Sequence, residues 1–368
     1  MSEAESTSAT RIAMCRPADR PEQARLYDLC FGKQDGLAVL PWRYDQNPHG
    51  EAVTFVARGP GGEPVSGYAC SPRRALARGA PDSAAILGQT GDVMTHPDWR
   101  GRGVFSGLDR AAMAETRRRG WPVVFGLPNR RSEKIFTEKL GWRAVGRLRP
   151  WTFVLASDEG ARAERLRAGR AAALAVPWAY WRGTLARGRL RDRAFERVDT
   201  LAIRRFGEEV DAVAAEVARR FPLMVQRDQR FLNWRFIEAP SGLFRAHGVY
   251  EPSGRMCGYA VVQLPRPGAG VGYLVDALGR DEVALAAALD AALGHLAKAA
   301  ASVARAWAVE GSFWERELRR AGFRAGKRDD AKAIIVQIHR PEHPLARAAL
   351  DPASWYFTDG DRDDETVS

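Results

Sequence analysis

The sequence predicts an α/β protein of two tandem, related domains, each a mixed and mostly antiparallel sheet flanked by helices. Three observations carry this. The chain has 368 residues, enough for two cores of ordinary size. Short strand-like runs alternate with segments of helical periodicity. Much of the chain also occurs twice. "PWRYDQNPHG" (41–50) returns as "NWRFIEAPSG" (233–242), with Trp42, Arg43, Pro48 and Gly50 matching Trp234, Arg235, Pro240 and Gly242 at an offset of 192. Tyr44 faces Phe236, and Gly-Tyr-Ala at 67–69 recurs at 258–260. "EKLGW" (138–142) resembles "RRAGF" (319–323), with Gly141 and Gly322 offset by 181. A repeat this long means two related domains, not a solenoid.

In the first copy, 20–32 reads as a helix, and 52–58 with 64–71 as a hairpin around "GPGGEP". Residues 84–95 read as a strand. Val104, Leu108, Ala111, Ala112 and Met113 give 103–119 one apolar face, hence an amphipathic helix. "WPVVFGL" reads as a buried strand, 130–140 as a helix stopped by Gly141, and "TFVLA" as the strand closing the sheet. In the second copy, 207–219 is helical and 244–250 pairs with 257–264. Then follow strand 271–277, helix 281–300, strand 303–309, helix 312–321 and a last strand at 332–338. The expected divisions are therefore 1–155, a connector at 156–200, 201–340 and a tail at 341–368. The connector is rich in alanine and arginine around Trp178, Tyr180 and Trp181. It reads as one or two helices between domains, with peripheral membrane contact through 170–200 as the alternative. The acidic end of the tail, with Asp359, Asp361, Asp363 and Asp364, reads as a mobile, solvated segment.

The net charge is +11, carried by arginine, since only six of the 56 basic residues are lysine. No recognition motif accompanies that charge, so nucleic-acid binding is not expected. The four cysteines show no CxxC pair or zinc spacing and read as free thiols in a reducing cytoplasm. The first residues, "MSEAESTSAT", lack the pattern of a secretory signal, and the longest apolar run is too short to cross a bilayer.

"HPDWRGRGVFSG" (96–107) lies between a predicted strand and a predicted helix. Amides at a helix start point outward, and the helix dipole adds positive potential there. Gly101 and Gly103 permit positive φ and close ligand approach, while Arg100 and Arg102 add charge-assisted donors. The turn is built for a diphosphate. It fits neither the dinucleotide fingerprint, whose spacing fails, nor the phosphate loop ending in Gly-Lys-Ser/Thr, which is absent.

"DVMTHPDWRGRGVFSGL" instead resembles motif A of the GNAT family of acyl-CoA-dependent N-acyltransferases, and "GLPNRRSEKIFTEKLGW" resembles its motif B. The resemblance covers about 52–155 and reaches the second copy only through the repeat. It implies an acyl-CoA, most simply acetyl-CoA, as donor and a small primary amine as acceptor. Val93, Met94 and Thr95 would offer backbone groups to the pantetheine arm. Arg100, Gly101, Arg102, Gly103, Val104, Phe105 and Ser106 would wrap the diphosphate, and Asn129 would bond the pantetheine or phosphate end. Asp92 stands where the family often has a catalytic acid, and His96 is the next candidate. Asp92 reads alternatively as a strand-end residue and His96 as a cap. Two departures stand out. Phe105 replaces a small residue, and Phe136 and Thr137 occupy the region of the family's frequent tyrosine general acid.

At the offset of 181, Arg100-Gly101-Arg102-Gly103 falls on Asp281-Glu282-Val283-Ala284. Carboxylates at a helix start repel phosphate, so the second copy is not expected to bind coenzyme A. The tail "WYFTDGDRD" weakly resembles tandem GNAT-like proteins of envelope or exopolysaccharide assembly, implying an amino-sugar acceptor. A non-catalytic acyl-CoA-binding or scaffold protein is the competing expectation.

Overall fold

The structure, a computed structural model, describes residues 10–78, 80–155, 187–189 and 197–363. The expected connector, with Trp178, Tyr180, Trp181 and most of the stretch 170–200, lies outside the described residues, as does Asp364. In chain order the elements of the first part are β1 (Arg11–Met14), α1 (Arg20–Phe31), α2 (Gly36–Tyr44), β2 (Val53–Arg58), β3 (Pro64–Ala77), β4 (Ala80–Thr95), α3 (Val104–Arg118), β5 (Val123–Gly126), α4 (Arg130–Lys139) and β6 (Arg143–Val154). The chain continues with β7 (Asp199–Ile203), α5 (Glu209–Ala218), β8 (Leu223–Val225), α6 (Gln229–Leu232), β9 (Phe244–Tyr250), β10 (Met256–Gln263) and β11 (Val271–Gly279). Then come α7 (Glu282–Lys298), β12 (Val303–Val309), α8 (Phe313–Arg320), β13 (Arg324–Ala325), β14 (Lys332–Ile338), α9 (Pro344–Ala349) and β15 (Trp355–Tyr356).

The described residues fall into two compact units. The first draws on Met1–Val145, Ala333–Asp351 and Asp363–Ser368, the second on Gly146–Lys332 and Pro352–Arg362. In the first unit, β1, β2, β3 and β4 pair antiparallel in sequence order, β4 pairs parallel with β5, and β5 pairs antiparallel with β14. In the second unit, β7, β9, β10 and β11 pair antiparallel, β11 pairs parallel with β12, and β12 pairs antiparallel with β6. The strand order is the same in both units.

Two expected closing strands change places. "TFVLA" was expected to close the first sheet, but Leu148–Val154 pairs with Val303–Val309 in the second unit. The strand at 332–338 was expected to close the second sheet, but its Ile335–Ile338 pairs with Val123–Gly126 in the first. The domain boundaries at 155 and 201–340 shift accordingly. The physical reason is that both halves present an equivalent open edge after their parallel pair. Either strand can satisfy the row of unpaired N–H and C=O groups on either edge.

The first sheet is covered on both faces. Leu108, Ala112 and Met113 of α3 and Phe136 of α4 pack with Tyr68, Cys70, Val124 and Ile335. Alternation along β3 turns Ala69 to the other face, where it joins Leu26, Tyr27, Leu40, Tyr44 and Met94 under α1 and α2. In the second unit α7 is alanine-rich, so Ala284, Ala288 and Ala292 approach Ala260, Ala277 and Ala304 in one buried cluster.

The tail differs from its expected mobile state. Thr358, Asp359, Asp361 and Arg362 are buried within the second unit. The reason is pairing. Arg227 Nη2 donates to Asp361 Oδ2 at 2.6 Å and to Thr358 Oγ1 at 3.1 Å, while Arg227 Nε donates to Asp276 Oδ2 at 3.1 Å. Thr358 Oγ1 and Tyr259 OH donate to the two oxygens of Asp276 at 2.7 and 2.8 Å. A carboxylate so enclosed by donors no longer requires water.

Candidate functional site

The parallel ladder between β4 and β5 runs only from Leu87–Val123 to Thr90–Gly126. Beyond it β4 keeps its pairing with β3, as far as Thr95 opposite Ser66. The stretch Gly91–Thr95 therefore has β3 on one side and lies past the end of the β5 ladder on the other. A bulge marks it. Gly67 pairs with Met94 and Ala69 with Gly91, so Tyr68 alone faces both Asp92 and Val93. Asp92 has φ +48°, a left-handed conformation that Asp tolerates better than most residues.

Asp92 is held hard in this position. Arg43 Nη1 donates to both its carboxylate oxygens, at 2.6 and 2.5 Å, and Tyr44 OH donates to Oδ2 at 2.7 Å. Burial, and then the Asp92 charge, push the Tyr44 phenol well above its ordinary range, so it stays protonated as a donor. The duplicated Trp-Arg-aromatic motif thus anchors the bulge. Met94 is buried on the α1 side, and its carbonyl accepts from Ser66 Oγ at 2.7 Å. The Thr95 carbonyl accepts from Arg100 Nε at 3.2 Å, linking the strand end to the glycine-arginine turn. His96 serves as a cap, its Nδ1 accepting from the Asp98 amide at 3.3 Å.

The turn has the form its residues predict. Gly101 and Gly103 have φ +77° and +73°, and Gly103 is the N-cap of α3. Arg100, Gly101, Arg102 and Gly103 are exposed. The Arg102 guanidinium lies over the Trp99 ring at 4.9 Å, a cation–π contact that orients it at the mouth of the helix. Ser106 N–H already bonds Gly103 O at 3.1 Å. The first-turn amides of Val104 and Phe105 lack intrahelical acceptors, as at the start of any helix.

Phe105 has a packing explanation. Its ring stacks on Tyr68 at 6.2 Å and meets Phe136 edge-on at 5.1 Å, and Phe136 in turn meets Trp142 at 5.0 Å. A large ring here fills the space between β3 and α4 that a small residue would leave open. Phe136 is buried, and Thr137 Oγ1 bonds back to Glu133 O at 2.9 Å. Asn129 caps α4, its Oδ1 accepting from the Arg131 and Ser132 amides at 3.0 Å each, which leaves Nδ2 as a donor.

Asp109 was not singled out in the sequence. It sits on α3 beneath the turn, 2 % exposed, accepting from Tyr68 OH at 2.8 Å and Trp142 Nε1 at 3.4 Å. Burial pushes its carboxyl up to about 6 despite these donors. A carboxyl raised in the fold is stabilising while protonated. Its contribution is fully present below its unfolded value near 4 and is lost as pH rises through about 6. Replacing Asp109 with Asn removes this ionisation. The variant should gain on the wild type as pH rises from 4 to 7, by up to about 3 kcal/mol. Urea denaturation across that range measures the difference, and a flat difference would refute the assignment.

The equivalent region of the second unit is built differently. Gly258, Tyr259 and Ala260 pair without a break with Gly279, Leu278 and Ala277, and the bulge in this pair falls further along, between Val261 and Val262, opposite Val275. Asp281 caps α7, accepting from the Ala284 amide at 2.8 Å, and Glu282 pairs with Arg320 at 3.1 Å. The β11–β12 ladder stops at Tyr273–Arg305, and beyond it lies the tail. Trp307 N–H donates to Asp359 Oδ1 at 2.9 Å, and Tyr356 OH donates to Ala277 O. Arg235, the repeat of Arg43, donates to the carbonyls of Gly360 at 3.2 Å and Arg362 at 2.9 Å. The helix start of the second unit is thus capped by Asp281, and tail residues bond to the strands beyond the end of its parallel ladder.

Among the described residues, no group of His, Cys, Asp and Glu could hold a metal ion, and no helix is long and apolar enough to cross a membrane.

Residues 11–145 match a family model described as an acetyltransferase (GNAT) domain. Comparison with curated proteins gives no match. Among solved structures, the chain is similar to a probable N-acyltransferase of unknown function from Enterococcus faecalis V583, with TM-score 0.60 and 12% identity over 90% of this chain and 73% of that one. A GCN5-related N-acetyltransferase from Anabaena variabilis ATCC 29413 gives TM-score 0.57 at 10% identity, over 90% and 73% of the two chains. A GCN5-related glucosamine N-acetyltransferase region of a fungal multi-domain β-N-acetylglucosaminidase gives TM-score 0.55 at 14% identity, over 91% of this chain and 39% of that one. At these identities the likeness speaks for the fold.

Proposed function

Taking residues 11–145 as a domain of the GNAT acetyltransferase superfamily, we propose that the chain is an acyl-CoA-dependent N-acyltransferase with one working site, in the first unit. The observation that carries this is the contrast between the copies. One has an exposed turn with two positive-φ glycines ahead of its helix, and the other has at that place an aspartate cap and no positive-φ glycine. The second unit is then a degenerate copy of the same domain, in keeping with its identical strand order.

In this reading the turn from Arg100 to Ser106 holds the diphosphate of coenzyme A through the exposed arginines and the first-turn amides of Val104 and Phe105. The backbone of Val93, Met94 and Thr95 lies along the pantetheine arm, and Asn129 Nδ2 donates from the far side. Acyl transfer to an amine requires the thioester carbonyl to be polarised, and a bulge amide near Val93 or Met94 supplies a fixed donor. Asp92 is an anchor for that amide through Arg43 and Tyr44, and His96 is a cap. Acetyl-CoA is the simplest donor. An amino sugar is the favoured acceptor, which the fold shared with a glucosamine N-acetyltransferase region supports along with the tail motif. The chain would work in the cytoplasm. The second reading, a non-catalytic acyl-CoA-binding protein, is favoured by one observation: Phe136 and Thr137 offer no phenol where the family often has its acid.

Calorimetry with acetyl-CoA, followed by thiol release against a panel of amines including glucosamine, separates these. Binding with turnover on an amine supports the enzyme. Tight binding without turnover across the panel favours the binding protein. No binding of acetyl-CoA refutes both.

A further inference from the structure

A recess lies at the other end of the first unit's sheet. β5 runs beside β4 toward the bulge, from Val123 to Gly126, and β14 runs against it, with Ile335 opposite Gly126 and Ile338 opposite Val123. Past Ile338, the Arg340 amide bonds Pro122 O at 3.1 Å. This end of β14 therefore borders the start of β5, whereas the bulge lies past the end of β5. Here β14, the start of β6 and α9, all within the first unit, line a cleft of about 330 Å³, inside the range of about 300–1,000 Å³ for small-molecule sites.

One wall is apolar. Val336 is buried and Ile338 half-buried, while Leu350, just after α9, is 38 % exposed. A leucine left this open beside a cleft gains from a ligand that covers it. Two cations face the same space. Arg143 begins β6 and Arg347 lies on α9, and both are exposed. Among the described residues, neither guanidinium has a hydrogen bond or an ion pair, and no carboxylate lines the cleft. Glu342, close by in the sequence, is taken by Arg340 at 3.0 Å. Gln337 adds a side-chain amide to the lining.

We propose that this cleft binds a small amphipathic carboxylate, with its apolar body on Val336, Ile338 and Leu350 and its charge between Arg143 and Arg347. Guanidinium groups are weakly hydrated and match the two oxygens of a carboxylate with paired N–H donors. The apolar wall makes a bare anion a poor occupant, and the arginines do the same for a neutral ligand. The site is separate from the glycine-arginine turn and stands apart from the acyl-transfer reading.

The test uses the full-length chain and hexanoate, followed by calorimetry at constant ionic strength. One hexanoate should bind per chain. Acetate, with the charge and no apolar body, and hexan-1-ol, with the body and no charge, should each bind at least about tenfold more weakly. Arg143→Gln and Arg347→Gln change exposed side chains, and each should weaken hexanoate at least about fivefold. Leu350→Ala should weaken hexanoate and leave acetate unchanged. Thermal melting reports whether each variant is folded. Coenzyme A at saturation should leave hexanoate affinity unchanged. The proposal is overturned by no hexanoate binding, by acetate or hexan-1-ol binding as tightly, by wild-type affinity in both arginine variants, or by displacement of hexanoate with coenzyme A. Absence of coenzyme A binding is a separate result, which refutes the acyl-transfer reading and leaves this site standing.

Discussion

Gly103→Asp should weaken coenzyme A binding at least about 100-fold, equivalent to about 3 kcal/mol, while leaving the fold intact. Two facts make this separation of effects expected. A Cβ at Gly103 would meet nothing within 4 Å, so the substitution does not crowd the domain. The φ of +73° is a left-handed conformation, which costs an L residue about 1–2 kcal/mol, and less for Asp. A carboxylate at the helix start also stabilises the helix, which offsets part of that strain. The same charge stands where two phosphates would approach, and it opposes the Arg100 and Arg102 guanidinia. Gly103→Ala, with the strain and without the charge, should fall between wild type and Gly103→Asp. Calorimetry gives both affinities, and thermal melting reports the fold. Affinity within threefold of wild type for Gly103→Asp would remove this turn from binding. The stoichiometry should be one acetyl-CoA per chain, because the corresponding helix start carries the Asp281 cap and the tail occupies the second strand gap.

The turn was legible because its signal is local. Glycine and arginine next to a helical period specify positive φ, exposure and charge without reference to distant residues. The repeat was legible for the same reason, since Trp42-Arg43-Tyr44 and Trp234-Arg235-Phe236 are contiguous. The missing features are those that depend on pairs far apart in the chain. Leu148–Val154 has the strand pattern expected of it, and nothing in its own residues says that its partner is Val303–Val309. Tyr68 and Asp109 are 41 residues apart, and the buried carboxyl emerges only when β3 and α3 pack together. α2 was obscured by Pro41, which ordinarily argues against a helix interior. Asp92 shows the limit most clearly. The acid at the end of β4 accepts from Arg43, a partner 49 residues earlier that its own neighbourhood in the sequence does not indicate. The acidic tail read as solvated because its charges outnumber its apolar residues locally, while Arg227, which neutralises them, lies 134 residues away.

That arginine carries the second large effect. Arg227→Met should destabilise the second unit by about 3–5 kcal/mol, the range for breaking one side of a buried ion network. Arg227 is 1 % exposed and makes bonds to Asp276, Asp361, Thr358 and the Val225 carbonyl. Methionine fills much of the same volume, so the loss reports the charge rather than a cavity. What remains is a pair of buried carboxylates, Asp276 and Asp361, that have lost the Arg227 charge. Burial raises the Asp361 carboxyl even in the wild type, and the Arg227 charge acts against that rise. Without Arg227 the carboxyl moves higher still, and the deficit in stability takes on a pH dependence of definite sign. A raised carboxyl stabilises the fold only while protonated, so the variant should recover part of its loss as pH falls from 7.5 to 5. Urea denaturation at the two pH values measures this. Adding Asp361→Asn to Arg227→Met removes one of the stranded charges and should restore stability at pH 7.5, a non-additivity expected of residues in one network. A loss below about 1 kcal/mol for Arg227→Met, or the same loss at both pH values, would show that the tail is held by its apolar residues, Trp355, Tyr356 and Phe357, and not by its charges.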